Sequence, residues 1–150
     1  MLSAPARRDR SWATCVSEGL RFVIIETENC PFCAPEPGRI IFETPWCVAL
    51  WDAFPVSSHH ALVVPRQHVA NLGALESEAA QHLWSAVMET RRRLALIARP
   101  DGFNIGVNER AAGGQTIAHL HVHVIARFEG EVEDPRGGVR WVVPKKAVYW

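Results

Sequence analysis

The segment His119-Leu120-His121-Val122-His123-Val124-Ile125 sets three histidines in strict alternation with apolar residues. Alternation with a period of two belongs to a half-buried β-strand, whose successive side chains point to opposite faces. Leu120, Val122 and Val124 are therefore expected to face a core, with the three imidazoles on the other face, about 7 Å from one to the next. Histidine is the side chain whose ordinary pKa lies nearest neutrality, so it serves as nucleophile, acid–base group or metal ligand. The competing reading is an exposed polar strand face that happens to be rich in histidine. Its position directly after Gly113-Gly114-Gln115-Thr116 speaks against that reading.

The rest of the chain supplies the partners such a strand needs. Arg39 to Glu43, Cys47 to Asp52, His60 to Pro65 and Phe103 to Val107 read as further strands, the first two joined by a turn at Thr44-Pro45. One long helix is expected from an N-cap at Ser77, with Glu78 suited to the helix dipole and Pro100-Asp101-Gly102 as the stop. Its apolar stripe comprises Leu83, Trp84, Val87, Met88, Leu94 and Ile97, with Arg91, Arg92 and Arg93 on a solvated face. About five strands around one long helix, linked by short connections, predict an α+β fold with a mostly antiparallel sheet. At 150 residues the chain reads as a single domain. It divides into an extension over 1–28, a motif-bearing core over 29–128 and a tail over 129–150. Leu20 to Ile25 is expected to form a short strand or an arm.

Bulk properties exclude several classes of partner. The formal net charge is zero, which favours neither nucleic acid nor an anionic membrane surface. No apolar run approaches the roughly 20 residues of a membrane helix. Arg7, Arg8 and Arg10 are not followed by the apolar stretch of a signal peptide, so a cytoplasmic location is the default.

Two clusters carry chemistry. In Gly113-Gly114-Gln115-Thr116 the glycines permit close approach of the backbone to a ligand, and the Thr116 hydroxyl suits phosphate oxygens. Paired glycines in a strand connection are otherwise simply a turn. Cys30 and Cys33 form a Cys-x-x-Cys, a common half of a tetrahedral zinc site, which His68 and His119 are of the right type to complete. A redox pair is the alternative, but no βαβ unit follows it. Cys15 and Cys47 read as unrelated to these, Cys47 as a small apolar strand residue. His82 falls on the helix as a surface or boundary residue.

These segments together resemble the histidine-triad family of nucleotide hydrolases and transferases, over about Cys30 to Arg127. The similarity rests on His119 to Ile125, and in order on Cys30-Pro31-Phe32-Cys33, Ala49-Leu50-Trp51-Asp52, His60 to His68, and Gly102-Phe103-Asn104 through Thr116. The resemblance implies that His121 is a nucleophile attacking the α-phosphorus of a nucleotide, giving a nucleotidyl-histidine. It implies that His123 contacts the phosphate and the scissile bridge, and that His60 supports the nucleophile. Asp52 matches the position that accepts hydrogen bonds from ribose hydroxyls, with a strand-end turn residue as the plain alternative. Asn108 and Thr116 match phosphate-contacting positions, and Gln115 sits in the same loop. His119 matches the residue whose main chain orients the nucleophile and whose ring, in zinc-containing members, joins Cys30, Cys33 and His68 at a structural metal; no catalytic metal is implied. A homodimer is implied as well.

His123 stands where the sugar-phosphate transferase branch has glutamine, which favours hydrolysis. The stretch Asp134 to Pro144 is similar to bacterial members that act on dinucleoside polyphosphates such as diadenosine tetraphosphate. Arg127, Arg136 and Arg140 are then either readers of distal phosphates or solvated tail charges. Trp141, Tyr149 and Trp150 either stack on a base or pack. Ile125-Ala126-Arg127 departs from the family pattern, which often has proline before the arginine. Hydrolysis of a nucleoside phosphoramidate, and nucleotide binding for signalling with little catalysis, stand as alternatives.

Overall fold

The computed structural model describes residues 30–150. Leu20 to Ile25, expected as a strand or arm, lies outside the described residues, as does Cys15. Five strands, β1 (Ile40–Glu43), β2 (Cys47–Trp51), β3 (His60–Pro65), β4 (Gly102–Val107) and β5 (Val122–Arg127), form one sheet in the order β1-β2-β3-β5-β4. Every neighbouring pair is antiparallel. One helix, α1 (Ser77–Ala98), crosses a face of that sheet. This is the α+β architecture expected, with edges within a residue or two except at β5.

Burial explains the layering. In β5, Val122, Val124 and Ala126 are buried while His123, Ile125 and Arg127 are half-buried. On the helix side, Cys47, Ala49, Ala61, Val63, Leu120, Val122 and Val124 pack with Leu83, Ala86, Val87 and Leu94 of α1. On the opposite face, Val48, Leu50, Leu62 and Val64 pack with Cys30 and Phe32, so β2 and β3 are buried on both sides. Truncating a fully buried leucine such as Leu83 or Leu94 would cost about 2–5 kcal/mol.

Three local expectations are corrected. The strand starts at Val122, not His119. The backbone N–H of Leu120 donates to the carbonyl of Val69, and sheet pairing begins only where Val122 meets Val63 and Val107. Leu120 nevertheless reaches the core, so the inward set holds. The helix N-cap is Glu76, with no side-chain cap, and Ser77 is the first helical residue. The buried stripe of α1 is Ala79, Leu83, Ala86, Val87, Thr90 and Leu94, while Trp84, Met88 and Ile97 are exposed. Trp84 and Met88 each follow a core residue by one position, which turns them about 100° away from it. α1 ends where Arg99 takes a left-handed conformation (φ 47°) just before Pro100. Arg92 and Arg93 pair with Glu89 on the solvated side, and Arg93 also lies over the Phe42 ring.

Candidate active site and metal centre

His121 immediately precedes β5 and His123 is its second residue, so a single segment delivers both rings to the sheet face opposite α1. Nδ1 of His121 lies 2.8 Å from the carbonyl oxygen of His119. A carbonyl only accepts, so the neutral ring carries its proton on Nδ1 and keeps the lone pair of Nε2 free. Phe32 packs against this ring with centroids 5.0 Å apart and approaches His119 edge-on at 6.0 Å. Phe32 is a site residue that the sequence reading quoted without a role; its place between two cysteines of a candidate metal knuckle was the signal.

A second hydrogen-bond chain runs through His60. The backbone N–H of Val56 donates to His60 Nδ1 at 3.3 Å, which puts the His60 proton on Nε2. That nitrogen lies 3.0 Å from His123 Nδ1 and 3.3 Å from Asp52 Oδ2. Donation to His123 Nδ1 leaves the His123 proton on Nε2, as a donor. Asp52 is fixed by its other oxygen, which accepts the Phe54 N–H at 2.8 Å. Burial pushes His123 down to about 4, helped by the neighbouring His121 and His60 rings and opposed by Asp52. Burial lowers His60 too, again against the pull of Asp52. Both rings are therefore neutral near pH 7. The His121 and His123 rings meet edge to face, with centroids 5.1 Å apart.

The glycine loop lies at the same end of the sheet. Val107 pairs with Val122, so Asn108 follows directly alongside the stretch that holds His121. Gly114 has φ 84°, a conformation that asks for glycine. The Gln115 amide holds the loop shut: its oxygen accepts the Arg110 N–H at 2.8 Å and its nitrogen donates to the Ala70 carbonyl at 2.7 Å. Thr116 is exposed.

On the other side of His119, four donors converge. The donor atoms of Cys30, Cys33, His68 and His119 all lie within 4.8 Å of one another. Sulfur–nitrogen separations of 3.4 Å (Cys30–His119), 3.0 Å (Cys33–His68) and 3.6 Å (Cys33–His119) are close to the roughly 3.5 Å edge of a tetrahedral zinc site with two sulfur and two nitrogen ligands. The remaining His119 nitrogen, Nε2, donates to the Pro65 carbonyl at 2.8 Å, which aims Nδ1 at the sulfurs. His68 turns Nδ1 toward Cys33, while its Nε2 is buried without a hydrogen-bond partner among the described residues. Partial burial and the Cys30 thiol push Cys33 up to about 11 when no cation is beside it. Donor types and spacing fit zinc. Cys47 is buried in β2 and separate from this cluster.

A HIT domain model matches residues 34–130, which carry all of these groups except Cys30, Phe32 and Cys33. The chain belongs to the HIT domain family. It is 33% identical over 105 residues to a 16.1 kDa HIT-like protein of Mycoplasma pneumoniae, covering 67% of this chain and 73% of that protein. It is 30% identical over 132 residues to an AP-4-A phosphorylase of Mycobacterium tuberculosis, covering 87% of this chain and 64% of that longer protein. Among solved structures, a zinc-bound histidine triad family protein of Mycobacterium smegmatis superposes with a TM-score of 0.64 at 28% identity, over 70% of this chain and 79% of that one.

At and beyond the end of the HIT match, Arg127, Arg136 and Arg140 are engaged internally. Arg127 contacts Glu131 and Asn104, and Arg136 pairs with Asp134 at 2.9 Å and lies over the Trp150 ring. Arg140 donates to the carbonyls of Lys146 and Ala147 and lies over Tyr149. Trp141 donates its ring N–H to the Arg136 carbonyl. The tail thus folds upon itself, which favours packing over base stacking for its aromatics. His82 stacks on Trp46 at 4.6 Å, a boundary contact as expected. Among the described residues no helix is long and apolar enough to cross a membrane.

Proposed function

We propose that this HIT protein is a nucleotidyl hydrolase that cleaves at the α-phosphate of a dinucleoside polyphosphate such as diadenosine tetraphosphate. The observation that carries the reading is the His119 carbonyl on His121 Nδ1, which presents the lone pair of His121 Nε2 beside a glycine loop and a second, proton-bearing histidine. His121 Nε2 attacks the α-phosphorus and forms a P–N bond as the bridging P–O bond breaks. His123 Nε2–H donates a hydrogen bond to the departing bridge oxygen and keeps its proton, so the leaving group departs as a phosphate anion. Water then attacks the same phosphorus and loses its proton to solvent as the P–N bond breaks, which returns the lone pair to His121 Nε2. Covalent catalysis splits one hard displacement into two, each using the same phosphate contacts.

His60 delivers its proton toward His123 and so keeps His123 in the donating tautomer. Asp52, already oriented by Phe54, accepts from the ribose hydroxyls. Asn108 and Thr116 contact phosphate oxygens, while Gln115 contributes by bracing the loop. Zinc held by Cys30, Cys33, His68 and His119 would supply a structural cross-link between the N-terminal knuckle and the histidine segment. The dinucleotide substrate is supported by the Mycobacterium tuberculosis relative named AP-4-A phosphorylase. A cytoplasmic homodimer is the assembly proposed.

The test is turnover of diadenosine tetraphosphate and of adenosine 5′-phosphoramidate, with separated products and an acid-quenched trap for nucleotidyl-protein. Release of adenosine monophosphate with a transient adduct that His121→Ala abolishes is expected. No monophosphate from either compound, or an undiminished rate in His121→Ala, would sink the reading.

A further inference from the structure

Arg110 has φ 60° and ψ 175°, a backbone region that is essentially reserved for glycine. Three hydrogen bonds enforce it. The Arg110 N–H donates to the Gln115 side chain, and the Arg110 carbonyl accepts from both Gly113 and Gln115 at 3.1 and 3.0 Å. A side chain kept at such a position against its own backbone preference needs a use. Its guanidinium is exposed and makes no hydrogen bond, ion pair or ring contact among the described residues.

That freedom is unusual around this site. Arg39, Arg66 and Arg127 are each bound to carbonyl or carboxylate oxygens or an amide oxygen, and Arg136 and Arg140 are locked within the tail. Arg99, likewise without a partner, precedes β4 and sits at the end of the sheet away from His121. Arg110 follows the other end of β4, three residues past Val107, where the register Gly106–His123 and Val107–Val122 sets the histidines. Near pH 7 burial keeps His60 and His123 neutral, so neither offsets the charge of a phosphate chain.

We infer that Arg110 binds the non-transferred phosphates of the substrate and so selects polyphosphate nucleotides over ones with a single phosphate. The inference rests on the hydrolase reading for the placement of the α-phosphate, and adds the group that reads what lies beyond it. Guanidinium is suited to this because its planar fork grips two phosphate oxygens and stays charged at all working pH. Asn108 and Thr116 hold the α-phosphate; the Arg110 side chain reads chain length.

The experiment separates backbone from charge. Calorimetric binding of adenosine monophosphate and of diadenosine tetraphosphate is measured on His121→Ala protein, where turnover does not interfere, with Arg110 intact, as Gln and as Gly. Loss of a charge-assisted hydrogen bond is worth roughly 10- to 100-fold in affinity. Arg110→Gln is expected to weaken the tetraphosphate by that factor and the monophosphate by less than about threefold. Arg110→Gly, which suits φ 60°, is expected to raise the melting temperature and still lose the tetraphosphate preference. Equal weakening of both ligands, or weakening of neither, overturns the assignment. The same variants in the His121 background give the kinetic counterpart: the ratio of kcat/KM for diadenosine tetraphosphate over that for adenosine 5′-phosphoramidate falls about tenfold or more, mainly through KM. A wild-type protein that binds with this contrast but hydrolyses neither compound refutes the hydrolase reading and leaves the Arg110 assignment standing.

Discussion

Nδ1 of His121 lies 2.8 Å from the carbonyl oxygen of His119, two residues back on the same segment. The main chain therefore sets the tautomer of the ring that faces the candidate phosphate site, and the Val56 N–H sets that of His60 in the opposite sense. Long-range ¹H–¹⁵N correlation spectra near pH 7.5 should show His121 protonated on Nδ1 and both His60 and His123 on Nε2. A His121 signal of the Nε2–H type would remove the lone pair on which nucleophilic attack depends.

The partly buried His60–His123 pair makes stability depend on acidity in a definite direction. His123 titrates at about 4 in the folded protein against an ordinary value of 6.5, so the unfolded chain binds the extra proton first as pH falls. Its contribution to stability is complete above pH 6.5 and is lost progressively between about 6.5 and 4, up to about 3 kcal/mol. Urea denaturation followed over that range should show the acid limb, and His123→Asn should flatten it. Asp52→Asn should lower the His60 and His123 titrations further, since the Asp52 charge now opposes burial at both. A rise in either would show that Asp52 does not act on them through its charge.

The inward set of the histidine segment was legible from alternation alone, because burial of Leu120, Val122 and Val124 is a local consequence of pleat and hydrophobicity. The start of β5 was not, since it depends on Leu120 bonding to Val69 and His119 to Pro65, contacts across 51 and 54 positions. The metal quartet was legible as residue types, and its pairing only as a family resemblance, for the same reason: Cys33–His68 and Cys30–His119 are 35 and 89 residues apart. The helix pattern overstated the buried face because apolar residues one step from the stripe look alike in sequence. The tail arginines stood undecided between phosphate readers and solvated charges; the ion pair with Asp134 and the carbonyls of Lys146 and Ala147 account for two of them. Arg110 carried no sequence signal at all, because strain at φ 60° exists only once the Gln115 amide closes the loop.

Trp84 and Met88, one turn apart, leave an apolar strip of α1 exposed, and β4 is an unpaired sheet edge among the described residues. Exposed apolar strips of this kind on a folded domain mark contact surfaces. Light scattering after gel filtration is expected to give the mass of two chains, and Met88→Glu with Trp84→Glu to give one. A wild-type mass of one chain at micromolar concentration would refute the proposed homodimer.

Zinc gives the sharpest division between structure and chemistry. Its four candidate ligands join the Cys30–Cys33 turn to His119, three residues before β5, and the His119 carbonyl, not its ring, holds the nucleophile. Elemental analysis of protein purified without chelator should give close to one zinc per chain, and Cys33→Ser well under that. Losing the metal unties a cross-link worth several kcal/mol, so Cys33→Ser or exhaustive chelation should lower the melting temperature by more than about 5 °C. Turnover below that lowered melting point should fall by less than about tenfold, because the carbonyl at 2.8 Å from His121 remains in place. A loss of activity at low temperature comparable to that of His121→Ala, with the fold intact by circular dichroism, would place the metal in the reaction itself and overturn its structural role.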